Sequence, residues 1–195
     1  NAYSSSKTPV AVYTQGALNG KTIKQITMGL EHTCVIASDD KAYCWGWAGG
    51  GALGNSTTIV SKVPIEVTDT YGSSVSQIAA GYRHTCLLNS LGNLYCWGEG
   101  STGELGDGQG KSSRTPVGVK MESFEGESVK QVAGGNQFTC AVTVQGSVFC
   151  WGNNSSGETG VGTASGESKY PTRVKGLTGR SEEHTSELQS HSEIS

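Results

Sequence analysis

A pair of cysteines ten residues apart is written three times into this chain, and no other feature constrains the fold as much. The first cysteine stands at Cys34, Cys86 and Cys140, 52 and then 54 residues apart; its partner stands at Cys44, Cys96 and Cys150. Around each first cysteine, Met28-Gly29-Leu30-Glu31-His32-Thr33-Cys34 aligns with Ala80-Gly81-Tyr82-Arg83-His84-Thr85-Cys86 and Gly134-Gly135-Asn136-Gln137-Phe138-Thr139-Cys140. Each second cysteine opens a Cys-Trp-Gly triplet, at Trp45, Trp97 and Trp151. Leu53-Gly54, Leu105-Gly106 and Thr159-Gly160 follow in step. Pro-x-x-Val recurs at Pro9/Val12, Pro64/Val67, Pro116/Val119 and Pro171/Val174, so all six cysteines and all four prolines fall in register. A fixed period of this length means stacked copies of one unit, none of which can bury its apolar face alone.

Within a unit the apolar residues come as short β-type runs. The first copy predicts strands over Ile23–Met28, Thr33–Ala37, Ala42–Trp45 and Ile65–Val67. The second predicts Val75–Ala80, Thr85–Asn89, Leu94–Trp97 and Pro116–Val119, and the third Val129–Ala133, Thr139–Thr143, Val148–Trp151 and Pro171–Val174. The 29 glycines and scattered Ser, Asn and Asp separate them as turns. Four strands per unit is the pattern of a propeller blade, and proline in the last strand fits an edge where its missing N–H breaks no ladder. The fold class is therefore all-β, an incomplete β-propeller of about three four-stranded blades in an open arc. The expected units are 23–68, 75–120 and 129–177. Residues 1–22 are expected to hold the last strand of a preceding blade and a linker. Residues 180–195 break the period, carry no glycine, aromatic or cysteine, and are expected to be a disordered tail foreign to the repeat. The chain reads as an internal fragment.

The cysteine register can be checked against turn chemistry. If the two cysteines of a copy face each other, the hairpin loops are Ser38-Asp39-Asp40, Ser90-Leu91-Gly92 and Val144-Gln145-Gly146. A three-residue loop wants a left-handed third residue, and Asp40, Gly92 and Gly146 supply it. Facing residues on antiparallel strands have Cα atoms ~4.5–5.5 Å apart, within the ~4.4–6.8 Å that a disulfide spans. Cys34–Cys44, Cys86–Cys96 and Cys140–Cys150 are the expected bridges. They imply an oxidising location, extracellular, cell-surface or periplasmic. Reduced cysteine pairs filling space are the alternative; zinc fits less well, because each copy brings only two sulfurs and no C-x-x-C.

His32 and His84 lie two residues before a cysteine, on the same side of a strand. Phe138 fills that slot in the third copy, so the slot accepts a ring with no ligand atom, and the role read here is structural. Trp45, Trp97 and Trp151 are read as packing between blades, each with a glycine after it that lets backbone pass close. Trp47 is off-register and expected to be more exposed. No catalytic set, metal site or cofactor motif stands out from the duplicated scaffold. Acidic residues outnumber basic ones, 17 to 14, for a net charge of −3, which disfavours a nucleic-acid binder. No apolar run approaches the ~18 residues of a membrane span.

Gly29-x-x-His32-Thr33, Tyr43-Cys44-Trp45-Gly46, Leu53-Gly54 and Pro64-x-x-Val67, with their later copies, resemble the regulator of chromosome condensation repeat family over about residues 8–177. The resemblance implies about seven units closing into a propeller that recognises proteins. Family members include an exchange factor for the small GTPase Ran and bacterial inhibitors of β-lactamase. The paired cysteines look like those of secreted or surface bacterial members. The expected function is a non-enzymatic protein-interaction scaffold with an unidentified protein partner. An exchange-factor-like regulator of a small GTPase and a lectin-like or carbohydrate-processing propeller are the alternatives. Where the frame repeats, function belongs in the slots that vary. The two residues after the recurring glycine differ in each copy, so Leu30, Glu31, Tyr82, Arg83, Asn136 and Gln137 are the candidate binding residues. Asn55-Ser56-Thr57 and Asn154-Ser155-Ser156 match the glycosylation acceptor pattern.

Overall fold

The computed structural model describes residues 7–13, 15–68, 72–164 and 166–177. Twelve strands form three separate four-stranded antiparallel sheets. Blade 1 holds β1 (Ile23–Met28), β2 (His32–Ala37), β3 (Ala42–Gly46) and β4 (Ser61–Glu66); blade 2 holds β5 (Val75–Ala80), β6 (His84–Asn89), β7 (Leu94–Gly98) and β8 (Ser113–Gly118). Blade 3 holds β9 (Val129–Gly134), β10 (Phe138–Thr143), β11 (Val148–Asn153) and β12 (Glu167–Arg173). Each blade is a meander in sequence order, from an inner strand to an outer one. The inner strands β1, β5 and β9 are neighbours across the blades, so the sheets fan around a common axis. Nearly everything outside the strands is turn, apart from two single-turn 3-10 segments at Gly49–Gly51 and Met121–Phe124.

The middle hairpins have the expected register. Cys34 pairs with Cys44, Cys86 with Cys96 and Cys140 with Cys150, and Asp40, Gly92 and Gly146 are left-handed at φ 59°, 81° and 85°. All three disulfides are formed, with Cα atoms 4.0–4.1 Å apart. These are positions of the close, non-hydrogen-bonded type in the ladder.

One expectation needs correcting. The fourth strand begins three or four residues earlier than its apolar run. Ser61 and Ser113 open the pairing opposite Gly46 and Gly98, and Glu167 and Ser168 open it opposite Asn153 and Gly152, with a bulge between the serine–glycine pair and the cysteine. An outer strand packs on one side only, so its first half has no apolar pattern to read. Residues 9–13 are exposed and lie in no strand among the described residues. The 180–195 segment lies outside the described residues.

The core lies between blades rather than within them. Cys34, Ile36, Ala42, Cys44 and Leu53 of blade 1 pack on Val75, Ile78, Leu87 and Trp97 of blade 2. Cys86, Leu88, Leu94, Cys96 and Leu105 of blade 2 pack on Val132, Ala141, Phe149 and Trp151 of blade 3. The period-2 alternation of a strand explains the division. Histidine and cysteine point toward the following blade, while threonine and tryptophan point back to the preceding one.

Candidate interaction face

Because the strands run up and down alternately, the loops after β1 and β3, and after their equivalents, emerge on one face of the arc. What fixes these loops is a hydrogen-bond relay repeated at each blade junction. His32 Nε2 lies 2.9 Å from Thr85 Oγ1, and that hydroxyl donates to Ala52 O at 3.2 Å. The indole of Trp97 donates to the same carbonyl at 2.9 Å. At the next junction His84 Nε2 meets Thr139 Oγ1 at 2.9 Å, and Thr139 Oγ1 and Trp151 Nε1 both donate to Glu104 O at 2.9 Å. Since each threonine proton is committed to a carbonyl, the histidine must donate from Nε2–H. Burial keeps the histidines as neutral struts, lowering the pKa of His32 to about 4. Burial, with a smaller contribution from His32, takes His84 to about 3.

Glycine is required where these rings turn back on the loop. A Cβ on Gly29 would stand 2.2 Å from His32 Cε1, and one on Gly54, at φ 66°, 2.7 Å from Trp97 Nε1. Phe138 lies over Gly135 in the same way. A second recurrent device was missed in the sequence. Gln25 Nε2 donates to Ile78 O while its Oε1 accepts from Ile78 N, and Gln77 reads Val132 identically. The signal was present, since Gln25, Gln77 and Gln131 hold the same place in each first strand.

The six candidate binding residues do not form one site. Leu30, Tyr82 and Asn136 meet at the inner end of the arc around a hollow of about 220 Å³. Leu30 N donates to Tyr82 O and Tyr82 N to Gly135 O, both at 3.0 Å, which sets their spacing. Glu31, Arg83 and Gln137 lie outward of them, and their carbonyls accept from Trp47, Glu99 and Asn153 backbone N–H groups. Glu31 lines a larger cleft of about 610 Å³ with Trp45, Trp47, Val60, Ser61 and Lys62. Arg83 stands between two rings, its Cζ 4.9 Å from the Trp47 centroid and 5.3 Å from that of Tyr82, with Glu99 at 3.9 Å. Trp47 is half-buried under that guanidinium and against Gly49, which is why it is less exposed than its off-register position predicts. At the junction of blades 2 and 3 the slots of Trp47, Tyr82 and Arg83 hold Glu99, Asn136 and Gln137. The aromatic–arginine stack is thus particular to the junction of blades 1 and 2. At the other junction Glu104 is buried beside the relay; Thr102 donates to Oε2 at 2.9 and 2.8 Å, Oε1 has no partner among the described residues, and burial raises the carboxyl pKa.

Similarity to known proteins agrees with this geometry. Two profiles of the Regulator of chromosome condensation (RCC1) repeat match, one over residues 39–88, 92–142 and 145–186, the other over 23–51, 75–104 and 129–158. The Ultraviolet-B receptor UVR8 of Arabidopsis thaliana is 36% identical over 146 residues, covering 75% of this chain and 33% of that protein. The mitochondrial RCC1 domain-containing protein RUG3 of the same plant is 33% identical over 145 residues, 72% of this chain and 33% of that one. Among solved structures, human WBSCR16 superimposes with a TM-score of 0.74 at 25% identity, over 82% of this chain and 41% of its own. Saccharomyces cerevisiae Prp20p, whose structure was described with its binding to Gsp1p and histones, gives 0.70 at 24% identity over 78% and 38%. The chain spans a third of the two plant relatives and less than half of these structures. Three blades built on one relay, matched repeat by repeat, place the chain in the regulator of chromosome condensation (RCC1) repeat family.

Proposed function

We infer that this chain is part of a non-enzymatic scaffold that binds a protein partner across the loop face, with Tyr82, Arg83 and Trp47 as its anchor. The observation that carries the reading is a division of labour. The residues that recur are consumed in blade-to-blade hydrogen bonds, whereas Leu30, Glu31, Tyr82, Arg83, Asn136 and Gln137 vary and keep side chains at the surface. Tyrosine, tryptophan and arginine are the residue types that dominate binding energy at protein interfaces, and a guanidinium held between rings is pre-organised for that role. The three disulfides support an extracellular or cell-surface location for the scaffold.

The experiment is a comparison of variants on partner retained from the native extracellular milieu. Y82A/R83A should weaken binding about 30-fold or more, the effect of losing a hot spot of ~2 kcal/mol. L91S, on the opposite face, should leave it unchanged. Equal retention by all three proteins would remove this face from consideration.

An exchange-factor-like regulator of a small GTPase is the second reading, favoured by the fold shared with Prp20p and the Gsp1p binding described for that protein. It requires a reducing compartment. Thiol titration of protein isolated without reductant separates the two: near-zero free thiols favour the exported scaffold, and six favour the intracellular regulator.

A further inference from the structure

Asn55-Ser56-Thr57 and Asn154-Ser155-Ser156 carry the same acceptor pattern, yet the fold treats them in opposite ways. Asn154 is 3% exposed. Its Nδ2 donates to Thr163 O at 3.0 Å and its Oδ1 accepts from Thr159 N at 3.2 Å. Both ends of this carboxamide hold the β11–β12 loop closed, and a sugar on Nδ2 would have to break that loop open.

Asn55 stands just after Leu53-Gly54 in the corresponding loop of blade 1, in the slot that Asp107 fills in blade 2. It is half-buried beside an exposed stretch in which Ile59 and Val60 are 74% and 56% accessible. Thr57 Oγ1 donates to Asn55 Oδ1 at 3.2 Å and itself accepts from Ile59 N at 3.3 Å. The threonine two positions on therefore holds the oxygen end of the carboxamide and leaves the nitrogen as the free end. Among the described residues Nδ2 has no hydrogen-bond partner, and it is not one of the buried unpartnered atoms.

We propose that Asn55 is an N-glycosylation acceptor in the folded, exported protein and that Asn154 is not. The donor is an oligosaccharide on a polyisoprenyl diphosphate. The bond formed joins Asn55 Nδ2 to the anomeric carbon; the bond broken joins that carbon to the diphosphate, which leaves with the electron pair. The amide nitrogen gives up one proton, and nothing is oxidised or reduced. Ser56 N donates to Arg114 O of outer strand β8 at 2.9 Å, so the glycan stands on the outer rim. The inner hollow around Leu30, Tyr82 and Asn136 stays open to a partner. The assignment rests on the oxidising-compartment part of the functional reading.

The test is secretion of the full chain behind a leader peptide from a eukaryotic host, with mass measured before and after peptide-N-glycosidase. The expected result is one glycan, with Asn55 converted to Asp by the enzyme. The shift should vanish in N55D, which installs the residue blade 2 already carries in this slot, and in T57A, which keeps the acceptor asparagine. A bare Asn55 in the secreted, disulfide-bonded protein, or a glycan on Asn154, overturns the proposal. Thiol titration of protein from its native source keeps the two readings apart. Six free thiols there overturn the compartment reading, whereas no free thiols with a bare Asn55 overturn the glycosylation alone.

Discussion

At the scale of single residues, the histidines are the most consequential parts of the frame. Each donates from Nε2 to a threonine of the next blade, and His32 Nδ1 is buried with no acceptor among the described residues, so a second proton there would be a buried unpaired charge. Their pKa values, about 4 and about 3 when folded, lie below the ordinary 6.5 that the unfolded chain keeps. The unfolded state thus binds protons first, and stability is fully present above pH 6.5 and declines as pH falls toward the folded values. The slope approaches about 1.4 kcal/mol per pH unit for each ring. Urea midpoints measured from pH 7 to 5 should fall for the natural sequence and stay flatter for H32F/H84F, which copies the residue at position 138. Parallel curves for the two proteins would show that the rings do not titrate as described. The residue type at this slot was legible in the sequence, as was its structural role. Its partner was not, because the threonine lies 53 or 55 residues away on another blade, and local periodicity does not reveal a contact across copies.

Among the elements, the middle hairpin is the part of the fold written most plainly in the sequence. Two cysteines of fixed spacing and a loop residue that tolerates positive φ are independent constraints, and both select one register. The outer strand was legible only from its proline or the residue after it, since Lys62, Val63 and Arg114 face solvent and leave no alternation. Each disulfide closes an 11-residue loop between its cysteines at separation 10, worth about 2.5–3 kcal/mol by loop-closure entropy. Replacing Cys86 and Cys96 together by alanine should lower unfolding free energy by about that amount without moving the far-ultraviolet circular dichroism. Cys86 and Cys96 are fully buried in the core shared with blade 3, so part of the loss comes from packing. A double variant as stable as the parent would mean that the bridge constrains nothing in the unfolded chain.

Across the whole molecule, exposure follows a residue's place in the stack more than its own identity. Trp45, Trp97 and Trp151 occupy the same register position, and the latter two are fully buried under the Ala52–Gly54 and Glu104–Gly106 loops of the blade before. Trp45 has no such loop over it among the described residues and lines the open cleft beside Trp47. The other end mirrors this, for Cys140 is half-buried where Cys34 and Cys86 are fully covered. A single copy read in isolation predicts identical environments for all three tryptophans; the difference arises only when copies are stacked, as expected for a quasi-one-dimensional array. Acrylamide should therefore quench one fraction of the fluorescence and leave the remainder inaccessible. In W45F/W47F the emission that survives should come from Trp97 and Trp151 and resist quenching. If acrylamide still quenches that variant strongly, the second and third blades are not closed over their tryptophans, and the arc described here does not persist in solution.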